Sequence, residues 1–233
     1  MKKLLFIFLI LFSCSYPEII YDELVYENDF ESNNLNEIDG GIISFFNESN
    51  VLGDYNNGGF TIHLDDVKDH DYVFISMDLY IHGSWDGNSN GFKENDKADK
   101  WGIEFKPDMD LFKDAESDRF ITTFSNSPCW SNYCLKQSFP DQFPFDNNPH
   151  TGSAKIDLPK KCENSFFGGK SSLYKVEKVF KSSGEGIVIR IFDELYQPNA
   201  IDNFGNSQQK CDESWSVDNL RIRIVKYQWG IFF

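Results

Sequence analysis

Oxygen-bearing side chains stand at every second position of Asp86-Gly-Asn88-Ser-Asn90-Gly91, and a glycine closes the run. Calcium takes about six to eight oxygen ligands from a tightly turning backbone, and this run offers three of them with a glycine for the turn. Glu94, Asp96 or Asp99 follow closely enough to complete a site. A plain Asn/Gly turn between two strands accounts for the same residues. A second chemistry is stacking. Trp85, Trp101, Trp130, Tyr133 and Trp215 are candidate faces for the C–H side of a sugar ring, with His82 beside Trp85 and Asn or Asp nearby to read hydroxyls. The same aromatics would serve equally well as core.

The Asp86 run resembles the opening half of an EF-hand calcium loop. The resemblance stops where the bidentate acid belongs, because Lys97 holds that position and no flanking helices are evident. Catalytic apparatus is harder to find. A glycoside hydrolase needs two carboxylates flanking the scissile bond at a fixed separation. Asp193 and Glu194 are adjacent, so on a strand they face opposite ways. Asp114-Ala-Glu116-Ser-Asp118 alternates but sits in a polar turn without aromatics beside it. His63, His70, His82 and His150 show no metal spacing, and no Gly-x-Ser-x-Gly or phosphate loop occurs. The chain reads more as a binder than as an enzyme.

These residues are positioned by a long strand that precedes the Asp86 run. Val73, Ile75, Met77, Leu79 and Ile81 alternate with Tyr72, Phe74, Ser76, Asp78 and Tyr80, a period of two that assigns each set to one sheet face. The second set is partly apolar near its start, which predicts a central strand covered on both sides. Trp101–Phe105 returns as the next strand. Further strands are expected at 24–31, 42–46, 60–64, 119–124, 173–180, 187–193 and 217–225, with no amphipathic helix of convincing length. The turn Asn56-Asn57-Gly58-Gly59 marks a hairpin. The pattern predicts an all-β chain, an antiparallel β-sandwich or jelly roll. Between about 125 and 169 the periodicity fails. A structureless loop of that length is unusual in a compact domain. Its aromatics either form a binding surface or cap the core.

The first residues bear on compartment. Lys2 and Lys3 precede an apolar run, Leu4 to Phe12, that is too short for a stable spanning anchor. Leu11-Phe12-Ser13-Cys14 resembles the lipobox of bacterial lipoproteins, although Phe12 is bulkier than usual there. That resemblance implies a lipidated Cys14, a signal peptide at 1–13 and a membrane attachment without a spanning helix. Residues 14–23 then read as a tether and 24–227 as one domain. Cys129, Cys134, Cys162 and Cys211 remain, an even number that suggests two disulfides in an exported chain. Cys129–Cys134 with Cys162–Cys211 is the preferred pairing among three, because the first pair closes a tight loop. A formal net charge of −15 repels nucleic acid and anionic lipid headgroups while suiting divalent cations.

Three motifs together resemble the secreted lectin-like β-sandwich modules of the concanavalin A-like and MAM types. They are Asn28-Asp29-Phe30-Glu31, Asp78-Leu79-Tyr80-Ile81 with Ser84-Trp85-Asp86-Gly87, and Asp212-Glu213-Ser214-Trp215 with Asp218-Asn219. The resemblance implies that first and last strands lie side by side, and that Glu31 and Asp218 share a structural cation. Alternatively, Asp218-Asn219 only turns the chain into its last strand. The resulting expectation is a lipid-anchored, extracytoplasmic, calcium-stabilised module of the cell envelope that binds glycan. The rivals are a polysaccharide-acting hydrolase of lectin-like fold and a protein-binding adhesion or structural lipoprotein.

Overall fold

A computed structural model describes residues 16–88, 97–107, 118–127, 129, 134–163, 169–197 and 209–229. The chain runs through β1 (Pro17–Asn28), β2 (Ile38–Asp39), β3 (Ile43–Phe46), β4 (Ser49–Tyr55), β5 (Gly59–Leu64) and β6 (Tyr72–Gly83). It continues with β7 (Lys100–Pro107), β8 (Asp118–Thr123), β9 (Ser153–Leu158), β10 (Ser171–Lys181) and β11 (Ile187–Glu194), and closes with α1 (Gln209–Asp212) and β12 (Glu213–Trp229). Two antiparallel sheets pack face to face. One has the order β3-β4-β12-β6-β10-β9 with β1 joined to β12, and the other runs β2-β5-β11-β7-β8. This is the antiparallel β-sandwich that the alternation predicts.

The long strand β6 lies between β12 and β10, so it is central. Its inward set, Val73, Ile75, Met77, Leu79 and Ile81, is buried against Ile103, Phe105, Ile187, Ile189 and Ile191 in the core between the sheets. The outward set is covered at the end of the strand and not at its start. Tyr80 joins Phe46, Val51 and Leu173 in a smaller cluster, while Tyr72, Phe74, Ser76 and Asp78 are only half-buried. Beyond that cluster the outer face carries ion pairs, among them Asp78–Lys175, Glu27–Arg221 and Asp22–Arg223.

Several boundaries differ from the sequence expectation. β1 begins at Pro17 and pairs with β12 from Pro17↔Trp229 to Asn28↔Leu220. The stretch expected as a tether up to Glu23 is therefore mostly paired strand. β12 is long enough to pair with β4 near its start and with β1 further on, and β1 occupies an edge that would otherwise be open. First and last strands are thus neighbours. β2, β4 and β9 lie outside the strands that the alternation predicts: β2 has two residues, β4 carries Gly53 and Asp54, and β9 sits inside the aperiodic stretch.

Part of that aperiodic stretch caps the core. Leu135, Gln137, Ser138 and Phe139 are buried. Phe139 packs on Phe124 and Tyr174 with ring centroids 5.1 and 5.2 Å apart. Phe145, in contrast, stays 51% exposed. The disulfides are Cys129–Cys134 and Cys162–Cys211, and they point to an oxidising compartment. Among the described residues no helix is long and apolar enough to cross a membrane.

A buried acidic cluster and the cleft beside it

At one end of the sandwich the chain leaves β6 in one sheet and enters β7 in the other. Asp86 lies on the way out and Asp99 on the way in. Glu213 is the first residue of β12 and pairs with Gly83, the last of β6. Three segments distant in sequence therefore place carboxylates together, and their ligand atoms lie within 4.8 Å of one another.

The backbone here is tightly fixed. Gly83 has φ +83°, and a Cβ on it would collide with the Asp212 carbonyl oxygen. Gly87 has φ +75°, and a Cβ there would strike the carbonyl of Lys136. Only glycine meets both demands without strain. Ser84 binds Asp212 twice, through its amide to the carbonyl at 2.8 Å and through its hydroxyl to Oδ1 at 2.9 Å. The Trp85 indole donates to the Ser214 carbonyl at 3.0 Å. Cys162–Cys211 ties α1, immediately before Glu213, to the loop after β9.

Each acid is held differently. Asp99 is fully buried and accepts the amides of Asp86 and Tyr196, both at 3.0 Å. Those bonds favour its charged form, but burial outweighs them and pushes its carboxyl up to about 7. Asp86 accepts the Ser127 hydroxyl at 2.8 Å. Glu213 is 3% exposed and its Oε2 has no hydrogen-bond partner. Burial, and then the charges of Asp99, Asp212, Asp86 and Asp193, push its carboxyl well above the ordinary range. Burial raises Asp212 and Asp193 as well. Among the described residues no lysine or arginine forms an ion pair with Asp99 or Glu213. Ser125, which bridges Asp86 through the backbone, has a buried hydroxyl without a partner.

A cleft of about 500 Å³ opens beside this cluster. Its described walls are Asn88, Lys97, Ala98, Lys100, Phe143, Glu194, Leu195 and Tyr196. Asp99 holds the cleft's edge through the Tyr196 amide. Lys97 lies over the Tyr196 ring and Lys100 over the Phe143 ring, at 5.3 and 5.7 Å from the centroids.

The residues singled out from sequence fall into several groups. Asp86 belongs to the cluster. Asn88 does not: its Oδ1 accepts the Thr123 and Ser138 hydroxyls, and its Nδ2 donates to the Phe145 carbonyl at 2.7 Å and to Asp146 at 2.8 Å. Both lone pairs of that oxygen are taken, so Asn88 anchors the aperiodic stretch and is no free metal ligand. Asn90, Trp130, Tyr133 and the lipidation candidate Cys14 lie outside the described residues. Trp85, Trp101 and Trp215 are 0% exposed, which corrects their reading as sugar platforms. They are core: Trp215 packs on Tyr55 at 4.8 Å, and Trp101 meets Trp215 edge-on at 6.0 Å. His82 is also buried, with Ser171 at 2.9 Å on Nδ1 and Ser216 at 2.8 Å on Nε2. Burial drives its pKa down to about 3, so it is a neutral structural imidazole and not a ligand contact.

Glu31 and Asp218 do meet, through Ser49. The Ser49 hydroxyl lies 2.6 Å from Glu31 Oε1 and 3.3 Å from Asp218 Oδ2. Glu31 also accepts the Asn50 amide at 3.0 Å, and Asp218 accepts the Asn219 amide at 2.7 Å. Protein donors already serve this pair. Sequence reasoning missed Glu213 as part of a site, although it stood in a motif noted for other reasons. Its only sequence signal is an acid two residues before a tryptophan, just ahead of a predicted strand, too common a pattern to single out. The chain matches no protein-family model and no curated protein.

Proposed function

We propose that the chain is an exported, lipid-anchored binding protein of the cell envelope that holds a saccharide in the cleft between Phe143 and Tyr196. The observation that carries this reading is the cleft itself. Its volume of about 500 Å³ falls in the range of small-ligand sites. Phe143 is half-buried and Tyr196 is 40% exposed, so both rings reach the cleft while remaining anchored. Aromatic faces suit the C–H side of a sugar ring, and Lys97, Lys100 and Glu194 supply charged hydrogen-bonding groups around them. Export is supported by the lipobox-like start and the two disulfides. Glu194 is the one carboxylate among the described cleft residues, and the buried triad is packed too closely to flank a scissile bond.

A glycan array probed with the purified chain tests the reading. Binding to a defined set of saccharides is expected, weakened about tenfold or more by Phe143→Ala with Tyr196→Ala, on the order of 1.4 kcal/mol. Failure to bind any saccharide, or binding that ignores both rings, would defeat it.

A protein-binding role has its own observation. The edge strand β1 exposes Ile19, Ile20 and Leu24, with Tyr16 just before it. An exposed apolar edge suits an added strand from a partner. The same array experiment separates the two, because a protein ligand on β1 would not depend on Phe143 or Tyr196.

A further inference from the structure

We infer that Asp86, Asp99 and Glu213 form a calcium site that fastens the two sheets together at this end of the sandwich. The inference does not rest on saccharide binding. Three carboxylates converge with ligand atoms within 4.8 Å of one another. Two oxygens on opposite sides of a calcium ion stand about 4.6–5.2 Å apart, from calcium–oxygen bonds of about 2.3–2.6 Å. One ion can therefore reach all three without moving the backbone.

The second observation is independent of the clustering. Glu213 is 3% exposed, and its Oε2 is buried with no protein partner. An ionised carboxylate in that position is strongly destabilising unless something positive meets it. Among the described residues no lysine or arginine is paired with Glu213 or Asp99, and Asp193 and Asp212 add further negative charge. Ser125, paired with Asp86 through a backbone bridge, carries another buried hydroxyl without a partner.

The donor set selects among cations. All three side chains offer oxygen, which suits a hard ion and disfavours zinc or copper. Magnesium demands near-octahedral geometry and keeps several waters, but Asp99 and Glu213 are almost wholly enclosed by protein. Calcium accepts irregular, protein-only coordination. The ligands join the end of β6, the start of β7 and the start of β12, so an occupied site resists separation of the two sheets.

The purified chain, stripped with chelator, is melted with chelator, with calcium and with magnesium, and no saccharide is present. Calcium at a hundredfold excess over its dissociation constant is expected to raise Tm by about 5–10 °C, and magnesium by much less. Terbium, a calcium mimic, should luminesce when excited through the neighbouring tryptophans and be displaced by calcium. Glu213→Gln and Asp99→Asn should each abolish the Tm response and the terbium signal. Should either variant fail to fold, equilibrium dialysis of wild type decides by itself, with one calcium retained per chain as the expected result. A wild-type Tm indifferent to calcium and chelator with no ion retained overturns the site. So does a calcium response that survives in both variants, since the ion would then sit elsewhere.

Discussion

Glu104 and Glu213 are almost equally buried, at 2% and 3% exposure, but the protein treats them in opposite ways. Glu104, on β7, receives Arg119 Nη2 at 2.6 Å and Nε at 3.0 Å, with Arg190 3.7 Å away. Its charge is met by cations on the strands to either side, since β8 carries Arg119 and β11 carries Arg190. Glu213, at the start of β12, has Asp99, Asp212, Asp86 and Asp193 around it, and its Oε2 has no hydrogen-bond partner. Burial alone does not mark a site, because a buried acid with its own arginine is a structural pair. What distinguishes Glu213 is the missing compensation.

The largest expected effect concerns how the Glu213 end is held. Cys162–Cys211 closes a separation of 49 residues and Cys129–Cys134 one of 5. Loop entropy assigns about 4 kcal/mol to the first and about 2 kcal/mol to the second. Denaturant melts of Cys162→Ala with Cys211→Ala should lose more stability than those of the other pair. Equal losses would mean that α1 is held in place without its disulfide.

Arg119→Ala and Glu213→Gln test the contrast itself. Removing Arg119 takes the two-point guanidinium contact from an enclosed Glu104, and a loss of about 2 kcal/mol is expected. Arg119 is more than half exposed, which keeps the loss below that of a fully buried pair. Glu213→Gln in chelator should have the opposite sign, a gain on the order of 1 kcal/mol, because a neutral amide needs no counter-charge and can donate to its neighbours. Thermal melts of both in chelator check the pair of signs. Two losses would show that Glu213 is satisfied as it stands.

His82 is a third way of burying an ionisable group, kept neutral between two serines. Its pKa is about 3 in the fold, held down by burial and then by Lys161, against about 6.5 in an unfolded chain. Between those values the unfolded chain takes up a proton that the folded chain refuses. The contribution of His82 to stability is therefore complete above about pH 6.5 and is lost as pH drops toward 3, by about 1.4 kcal/mol per pH unit. In His82→Asn the fall from pH 6.5 to 4 should be shallower by that slope, measured by melts across the pH series.

How much was legible in the sequence follows from the range of each interaction. Period-two alternation is local, so β6, β10 and β11 and the sandwich they form could be read directly. The even cysteine number, outside the lipobox, pointed to the right chemistry. Asp86 was visible because its turn is local, and Asp99 lay within reach of it. Glu213 was not, because only the β6–β12 register brings it there, pairing it with Gly83. The tryptophans misled for the same reason. Trp85, Trp101 and Trp215 have identical chemistry in a core and in a sugar site, and burial is decided by the packing of the opposite sheet. Tyr196 does not stand out in the sequence, and Phe143 does so only as one aromatic of the aperiodic stretch, because the cleft they line joins segments far apart in the chain.

The smallest expected effect is at Asp218, five positions along β12 from Glu213. Both are acids at the 5% level of exposure or below, and both have raised carboxyls, with burial as the leading cause. The difference lies in their oxygens. Asp218 receives the Asn219 amide and shares the Ser49 hydroxyl with Glu31, whereas Glu213 Oε2 receives nothing. Asp218→Asn exchanges a carboxylate for an amide that keeps one acceptor oxygen for those donors. Relief of repulsion from Asp78 and Glu31 offsets part of whatever hydrogen bonding is lost, so stability should change by no more than about 1 kcal/mol. Its calcium-dependent rise in Tm should match wild type. A calcium response lost in Asp218→Asn and kept in Glu213→Gln would reverse the assignment, placing the ion between the first and last strands and leaving the triad to share protons.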